Sequence, residues 1–315
     1  MLSISDIGRL TKPIVWTLHD MWPFCGAEHY APDDSDARFR VGYRADNQPR
    51  DERGPDLSRH AWEAKRGAWA HQRFTIVGPS RWMADRARAS VLFARAKVVT
   101  VPYPLNTTFP WRPIDRTSAR DILGLPQDRK LILAGAMGGV RDPRKGGDLL
   151  LQAVGSIAAH DRDFDVAIFG QGRPSAGQEW PCRVHWLGAV NDDRTMALAY
   201  SAADVMAVPS RQDNLCQTAT EAQACGVPVV AFDIGGMPDI VEDGRTGRLV
   251  PPFDTTAYAE ALRWGVQASG KEGHVGDAAR AAAVSRWHPD VVVPQYLAVY
   301  EKAIACRSAG TMQGP

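Results

Sequence analysis

The sequence predicts an α/β protein of doubly wound parallel sheets, arranged as two domains of which the first is incomplete. Three observations carry this: short β-branched runs that each lead through a turn into a helical pattern, a Pro-rich break at residues 103–120, and a length of 315 residues, which suits about two domains. The runs are continuously apolar rather than alternating, as in strands covered on both faces.

Taken in order, IVWTL (14–18), FTIVG (74–78) and VVTVP (98–102) are the strand candidates of the first domain, assigned residues 1–109. Residues 31–60 are polar and aperiodic and read as a loop. SRWMADRARASVLFARAK (80–97) reads as an amphipathic helix carrying Arg81, Arg86, Arg88, Arg95 and Lys97 beside Trp82, Leu92 and Phe93. Its cations suit either a solvated face of a core helix or a peripheral contact with anionic lipid on the inner face of a membrane. The segment 103–120 reads as a linker that ends in a helix start, with a capping box at Ser118 and Asp121. Then follow LILAGA (131–136), DVAIFG (165–170), VHWLG (184–188), VMAVPS (205–210) and PVVAFD (228–233), alternating with helices at about 146–159, 192–203, 217–225, 237–242 and 255–268. Five strands suffice for a complete doubly wound domain, assigned residues 110–288, with a final helix near 289–306.

Thirty-seven basic against 36 acidic side chains leave a net charge of +1, which provides no global field for nucleic acid. The five cysteines, Cys25, Cys182, Cys216, Cys225 and Cys306, form no C-x-x-C pair, which argues against a disulfide framework or structural zinc and for a reducing compartment. The first residues lack the order of a signal peptide and no apolar run reaches the ~18 residues of a membrane span, so a cytoplasmic location is expected.

The richest stretch for chemistry is VPSRQDNLCQTATEAQACGVPVVAFDIGG (208–236). A strand ends at Ser210 and a helix begins near Cys216 or Gln217, which puts Asp213 ahead of a helix N-terminus and Glu221 about one turn inside it. In a doubly wound sheet ligands bind beyond the carboxyl ends of the strands, where such an N-terminus attracts phosphate. Carboxylates flanking that place can accept hydrogen bonds from vicinal sugar hydroxyls; the plain alternative is a helix cap and a surface glutamate. Around Lys145, a Gly-rich turn and the cations Arg141, Arg144 and Lys145 follow a buried strand and can neutralise a diphosphate, though the pattern is not a Walker loop. A solvated basic turn is the competing reading. FGQG (169–172), with Gly170, and IGGMPD (234–239) add glycines along the same sheet edge. WTLHDMWPF (16–24) places His19 and Asp20 at a strand end, where an imidazole can meet a sugar hydroxyl. Cys25, Glu28 and His29 match no trusted metal-ligand spacing and read as a structural loop.

With VWTLHDMWPF, GPSRWMAD, DPRKGGDLLL and DNLCQTATEAQACGVPVVAFDIGGMPDIVEDGRTGRLV on the page, the chain resembles the family 4, group 1 glycosyltransferases of the GT-B fold over about residues 11–305, and most closely their bacterial exopolysaccharide and colanic-acid branch. The resemblance implies two Rossmann-like domains facing across a cleft, with the N-terminal part of the first missing here and the final helix packing back on it. It implies a retaining transfer of sugar from a nucleoside diphosphate-sugar to a glycan or lipid-linked acceptor, with no metal and no organic cofactor. By position, Glu221 matches the acid that holds the nucleotide ribose, Asp213 the acid near the transferred sugar, and Asn214 and Leu215 the rest of that element. Lys145 matches the basic residue on the donor diphosphate, the Arg usual six residues before it being Gly139 here with Arg141 or Arg144 as its open replacement, and His19 matches the histidine that faces the donor sugar; Gly170, on the same sheet edge, is expected on the donor side. The rival expectation is a non-catalytic nucleotide-sugar binder or an inactive truncated transferase.

Overall fold

The computed structural model describes residues 2–135, 142–173, 179–268 and 274–311. The chain forms two compact units, one made of the residues up to Tyr103 together with those from Val292, the other of Pro104–Val291.

In the first unit a short helix α1 (Ile4–Arg9), closed by a capping box between Ser3 and Asp6, precedes strand β1 (Ile14–Thr17). The polar stretch that follows is more structured than its composition suggests. It contains helix α2 (Arg38–Val41) and ends in α3 (Leu57–Ala68), whose cap Asp56 accepts from the Arg59 amide and pairs with Arg38. Strand β2 (Phe74–Gly78) is buried throughout, and α4 (Arg81–Ala89) starts at Ser80, whose hydroxyl accepts from the Met83 amide. This helix stops well short of residue 97: Ser90 is extended, and Lys97 already belongs to β3 (Lys97–Thr100). The three strands pair in parallel in the order β1-β2-β3.

In the second unit, α5 (Arg116–Leu123) is capped by Asp115, which accepts from the Ser118 amide, rather than by the predicted box at Ser118. Asp115 is one turn earlier and its carboxylate meets the N3 amide directly. Strand β4 (Lys130–Gly135), α6 (Gly147–Ala158), β5 (Phe164–Phe169), β6 (Val184–Gly188), α7 (Asp193–Ala202), β7 (Val205–Val208), α8 (Gln217–Ala224) and β8 (Val229–Phe232) follow in the expected alternation. Two predictions are corrected. Residues 237–242 form only a 3-10 turn (Met237–Asp239): the Val241 amide still donates to the Met237 carbonyl, but the Glu242 amide turns away to the Thr246 hydroxyl at 2.9 Å. The sheet has a sixth strand, β9 (Gly247–Val250), whose run GRLV opens on Gly and Arg and so does not stand out as an apolar run in the sequence. Helices α9 (Thr255–Ala268) and α10 (His274–Trp287) complete the unit, and α11 begins at Pro289 and runs to Thr311, mostly with the first unit. Val292 of α11 is fully buried beside Val77 and Val101, with Tyr296 and Val299 continuing the same stripe.

All six strands are parallel in the order β6-β5-β4-β7-β8-β9. The chain winds outward from β4 to β5 and β6, then returns to β7 and winds the other way. The reversal lies between β4 and β7, and beyond the carboxyl ends of such a strand pair the loops part to leave a crevice. Beneath it, the buried Arg120 guanidinium and Asp204 carboxylate pair at 2.9 Å, and Asp204 also accepts from the Leu131 amide at 2.7 Å.

Candidate functional site

The residues beyond β4 and β7 are laced to one another. Asp142 caps the turn Pro143–Lys145 by accepting from the Arg144 amide. Gly146 then takes φ +66°, and a Cβ there would lie 2.0 Å from the Pro209 carbonyl oxygen, so only glycine allows this turn to touch the end of β7. From the other side the Arg211 amide donates to the Arg144 carbonyl at 2.6 Å, while its guanidinium donates to Pro143 O and grips the Asp148 carboxylate with two bonds of 2.7 and 2.6 Å. That grip holds Asp148 below the ordinary carboxylate range.

This lacing delivers Lys145 Nζ to within 2.7 Å of Asp213 Oδ2, to which the Ser210 hydroxyl also donates at 3.3 Å. Asp213, Asn214 and Leu215 are all buried. Gly235, at φ +55°, lets its loop close on them: a Cβ there would sit 2.2 Å from the Asp213 carbonyl oxygen, which also accepts from the Gly236 amide at 3.1 Å. The D-N-L segment leads into α8, whose N-terminal residue Cys216 makes no side-chain cap, so the positive end of the helix faces the same corner. Gly135, Lys145, Ser210, Cys216 and Thr218 line a cavity of about 20 Å³ there, room for roughly one water.

Glu221 lies one turn into α8 and points to α7 rather than to Lys145. Its Oε2 accepts from the Tyr200 hydroxyl at 2.8 Å, and burial pushes its carboxyl up to about 7, against the pull of that hydrogen bond. Tyr200 is fully buried and its hydroxyl is pushed far above its usual range, so it serves as a fixed donor. The two acids thus occupy separate positions flanking the start of α8, one paired to a cation and one to a phenol.

Of the remaining predicted residues, Arg144 stays with its own turn and bonds Asp142 at 2.6 Å, while Arg141 lies outside the described residues. Gly170 directly follows β5 at φ +85° and its amide donates to the Gly188 carbonyl at 2.8 Å. His19 belongs to the first unit, is exposed, and stacks on Tyr103 with ring centres 5.1 Å apart. Asp20 accepts from the Trp22 amide and meets His29 Nδ1 at 2.6 Å. Glu28 accepts from the Tyr43 hydroxyl and Cys25 is buried with its thiol pushed up, and no three His, Cys, Asp or Glu among the described residues could hold a metal. Arg86 of α4 is committed to Asp33 and Arg88 to Asp85, and no described helix is long and apolar enough to cross a membrane. Tyr200 and Arg211 escaped the sequence reading because their partners lie 21 and 63 residues away, with no spacing rule to couple them.

Residues 129–267 match the family described as Glycosyl transferases group 1. A D-inositol 3-phosphate glycosyltransferase of Xylanimonas cellulosilytica is 36% identical over 228 residues, covering 68% of this chain and 53% of that protein. The chain spans about half the length, or less, of the curated relatives it matches. Among solved structures, sucrose-phosphate synthase from Thermosynechococcus elongatus aligns with a TM-score of 0.70 at 20% identity, over 95% of this chain and 69% of that one. HepE of Anabaena, solved with UDP, aligns with a TM-score of 0.66 at 17% identity, over 92% and 72%. At these identities the structures speak for the fold, which is the α/β GT-B fold of glycosyltransferases with parallel sheets.

Proposed function

We propose that the chain is a group 1 glycosyltransferase that moves a sugar from a nucleoside diphosphate-sugar to a hydroxyl acceptor. The observation that carries this is the Lys145–Asp213 pair, which joins the basic turn after β4 to the acidic segment before α8 where the sheet order reverses. A cation, an uncapped helix N-terminus and two acids at one crevice match the parts of a nucleotide-sugar: diphosphate, transferred sugar and ribose.

In this assignment the sugar–phosphate bond breaks with its electron pair passing to the diphosphate. Lys145 and the positive end of α8 neutralise that growing charge, the largest effect expected from a preorganised site. Asp213 accepts hydrogen bonds from the transferred sugar, and the ionised Glu221 from the two ribose hydroxyls. Asn214, Leu215 and Gly170 shape the donor pocket, with Arg144 or Arg141 as a second cation. His19 is assigned to a hydroxyl of the transferred sugar. The acceptor oxygen forms the new bond on the face the phosphate leaves, its proton passing to the departing phosphate, so the anomeric configuration is retained. A glycan or lipid-linked saccharide of polysaccharide assembly is the acceptor class expected from the motifs; the curated relatives, named for inositol 3-phosphate, make a phosphorylated polyol the alternative to test beside it.

The test is a thermal-shift titration with uridine, guanosine and adenosine diphosphates, followed by product analysis with matched nucleotide-sugars and both acceptor classes. Lys145→Ala and Glu221→Ala should each lower donor affinity and transfer. If both variants are folded and neither loses donor hydrolysis or transfer, the assignment is wrong; binding without turnover in the wild type instead favours a nucleotide-sugar binder.

A further inference from the structure

Buried charges in this protein are matched in two ways. Arg120 and Asp204 neutralise one another, and Asp165 meets Arg129 and His185. Lys65 of α3, fully buried in the first unit, is held instead by backbone. Its Nζ lies 2.5 Å from the Trp22 carbonyl oxygen, 3.1 Å from that of Cys25 and 2.7 Å from that of Gly26, and 3.7 Å from the centre of the Trp22 ring. An ammonium has three N–H donors, and all three are used. The carbonyls come from the end of a helical turn, in which the Phe24 and Cys25 amides both donate to Met21 O, so the cation sits at the electronegative end of aligned peptides and over the negative face of an indole.

The same turn belongs to a closed loop. The Met21 amide donates to the His29 carbonyl at 2.8 Å, and Asp20 meets His29 at 2.6 Å, so residues 20–29 begin and end together, one residue after His19. Gly26 rests on α3 so closely that a Cβ would lie 2.4 Å from the Ser58 carbonyl oxygen. One helix thus supplies both the floor of the loop, at Ser58, and, seven residues on, the cation that gathers its carbonyls. Burial draws the Lys65 ammonium down to about 8, while the Glu28 and Asp20 carboxylates pull the other way, so the charged form prevails at pH 7.

We propose that Lys65 is a built-in cation that organises the 20–29 loop and so acts as a positioning residue for His19 and Asp20 at its root. The catalytic half of this role rests on the transferase reading given above; the organising half does not. Lys65→Ala removes the ammonium and leaves a channel the shape of its stem, which n-propylammonium can refill with its own three N–H donors.

The experiment compares the full-length wild type and Lys65→Ala by hydrogen exchange across residues 19–30, by nucleotide affinity and by transfer kinetics, with and without n-propylammonium, using tetramethylammonium as a cation lacking N–H donors. Protection of the Met21, Phe24 and Cys25 amides should fall by about tenfold or more, and kcat by a comparable factor, while nucleotide affinity changes less than about twofold. Propylammonium should restore both protection and kcat, and tetramethylammonium neither. Unchanged loop protection, or loss that propylammonium does not reverse in a folded variant, overturns the proposal. If Lys65→Ala fails to fold, Lys65→Met keeps the stem without the charge: it should lose the same protection and be deaf to propylammonium, and full protection in it overturns the proposal. A wild type that transfers no sugar refutes the transferase reading, while the exchange measurements still decide the role of Lys65.

Discussion

Replacing Glu221 by Gln separates the stability of the second unit from its ligand chemistry. Burial lifts this carboxyl from its ordinary 4.5 to about 7, which corresponds to an ionisation cost of about 3 kcal/mol in the folded state. Because the folded value is raised, the associated stability is fully present below the unfolded pKa and is lost as pH rises through the folded one. Gln is neutral at every pH and still accepts from Tyr200. The two proteins should therefore melt together near pH 4.5, diverge between pH 4.5 and 7, and differ by a constant amount above that. At pH 8 the variant should be more stable by up to about 3 kcal/mol, equivalent to roughly 6–12 °C in Tm for a unit of this size. Calorimetric melting from pH 4.5 to 8.5 reads this directly. In the same variant nucleotide-diphosphate affinity should fall about tenfold at pH 8, since an amide offers one acceptor oxygen where a carboxylate offers two. A difference in Tm that does not vary with pH would refute the buried-carboxyl account, and unchanged affinity would remove Glu221 from the ribose.

Tyr200→Phe deletes the hydrogen bond that favours the ionised acid, so the pH midpoint for nucleotide binding should move upward from about 7; titrations at several pH values check this. Gly235→Ala drives a Cβ into the Asp213 carbonyl and should weaken donor binding in calorimetric titrations, whereas Gly244→Ala, also at positive φ but with open space around it, should cost only the backbone strain of about 1–2 kcal/mol and leave affinity intact. Asp204→Asn leaves the buried Arg120 guanidinium uncompensated and should destabilise the second unit by about 3–5 kcal/mol, read by urea unfolding.

All strands but β9 were legible because each is a short apolar, β-branched run; Lys145 and Asp213 drew attention as polar residues at turns after such runs, and Glu221 as an acid one turn into the following helix. The edge strand β9 was not: its run GRLV holds only two apolar residues and follows the turn residues Asp243, Gly244, Arg245 and Thr246. Residues 31–60 concealed α2 and the start of α3 because polar side chains there are fixed by distant partners, Arg38 with Asp56 and Asp33 with Arg86. The start of α8 was placed correctly, yet nothing in the spacing of Asp213 and Glu221 indicates that one meets a lysine and the other a tyrosine. Lys65 gave no signal at all: in the sequence it is one cation in a polar helix, and only the folded loop brings three carbonyls to it.

The chain leaves the first unit at Tyr103 and rejoins it at Val292, and just inside those crossings the Leu105 amide donates to the Trp287 carbonyl at 2.7 Å. The second unit is therefore a cassette inserted into the first, with its entry and exit stitched together by that bond and by Thr108 Oγ1 with His288 Nε2 at 3.2 Å. A cassette of this kind offers its own ends as neighbours: residues 104–291 can be cut out, or their ends fused and the chain reopened elsewhere, without stretching the backbone. The proposed donor site, Lys145, Asp213 and Glu221 alike, would travel with it.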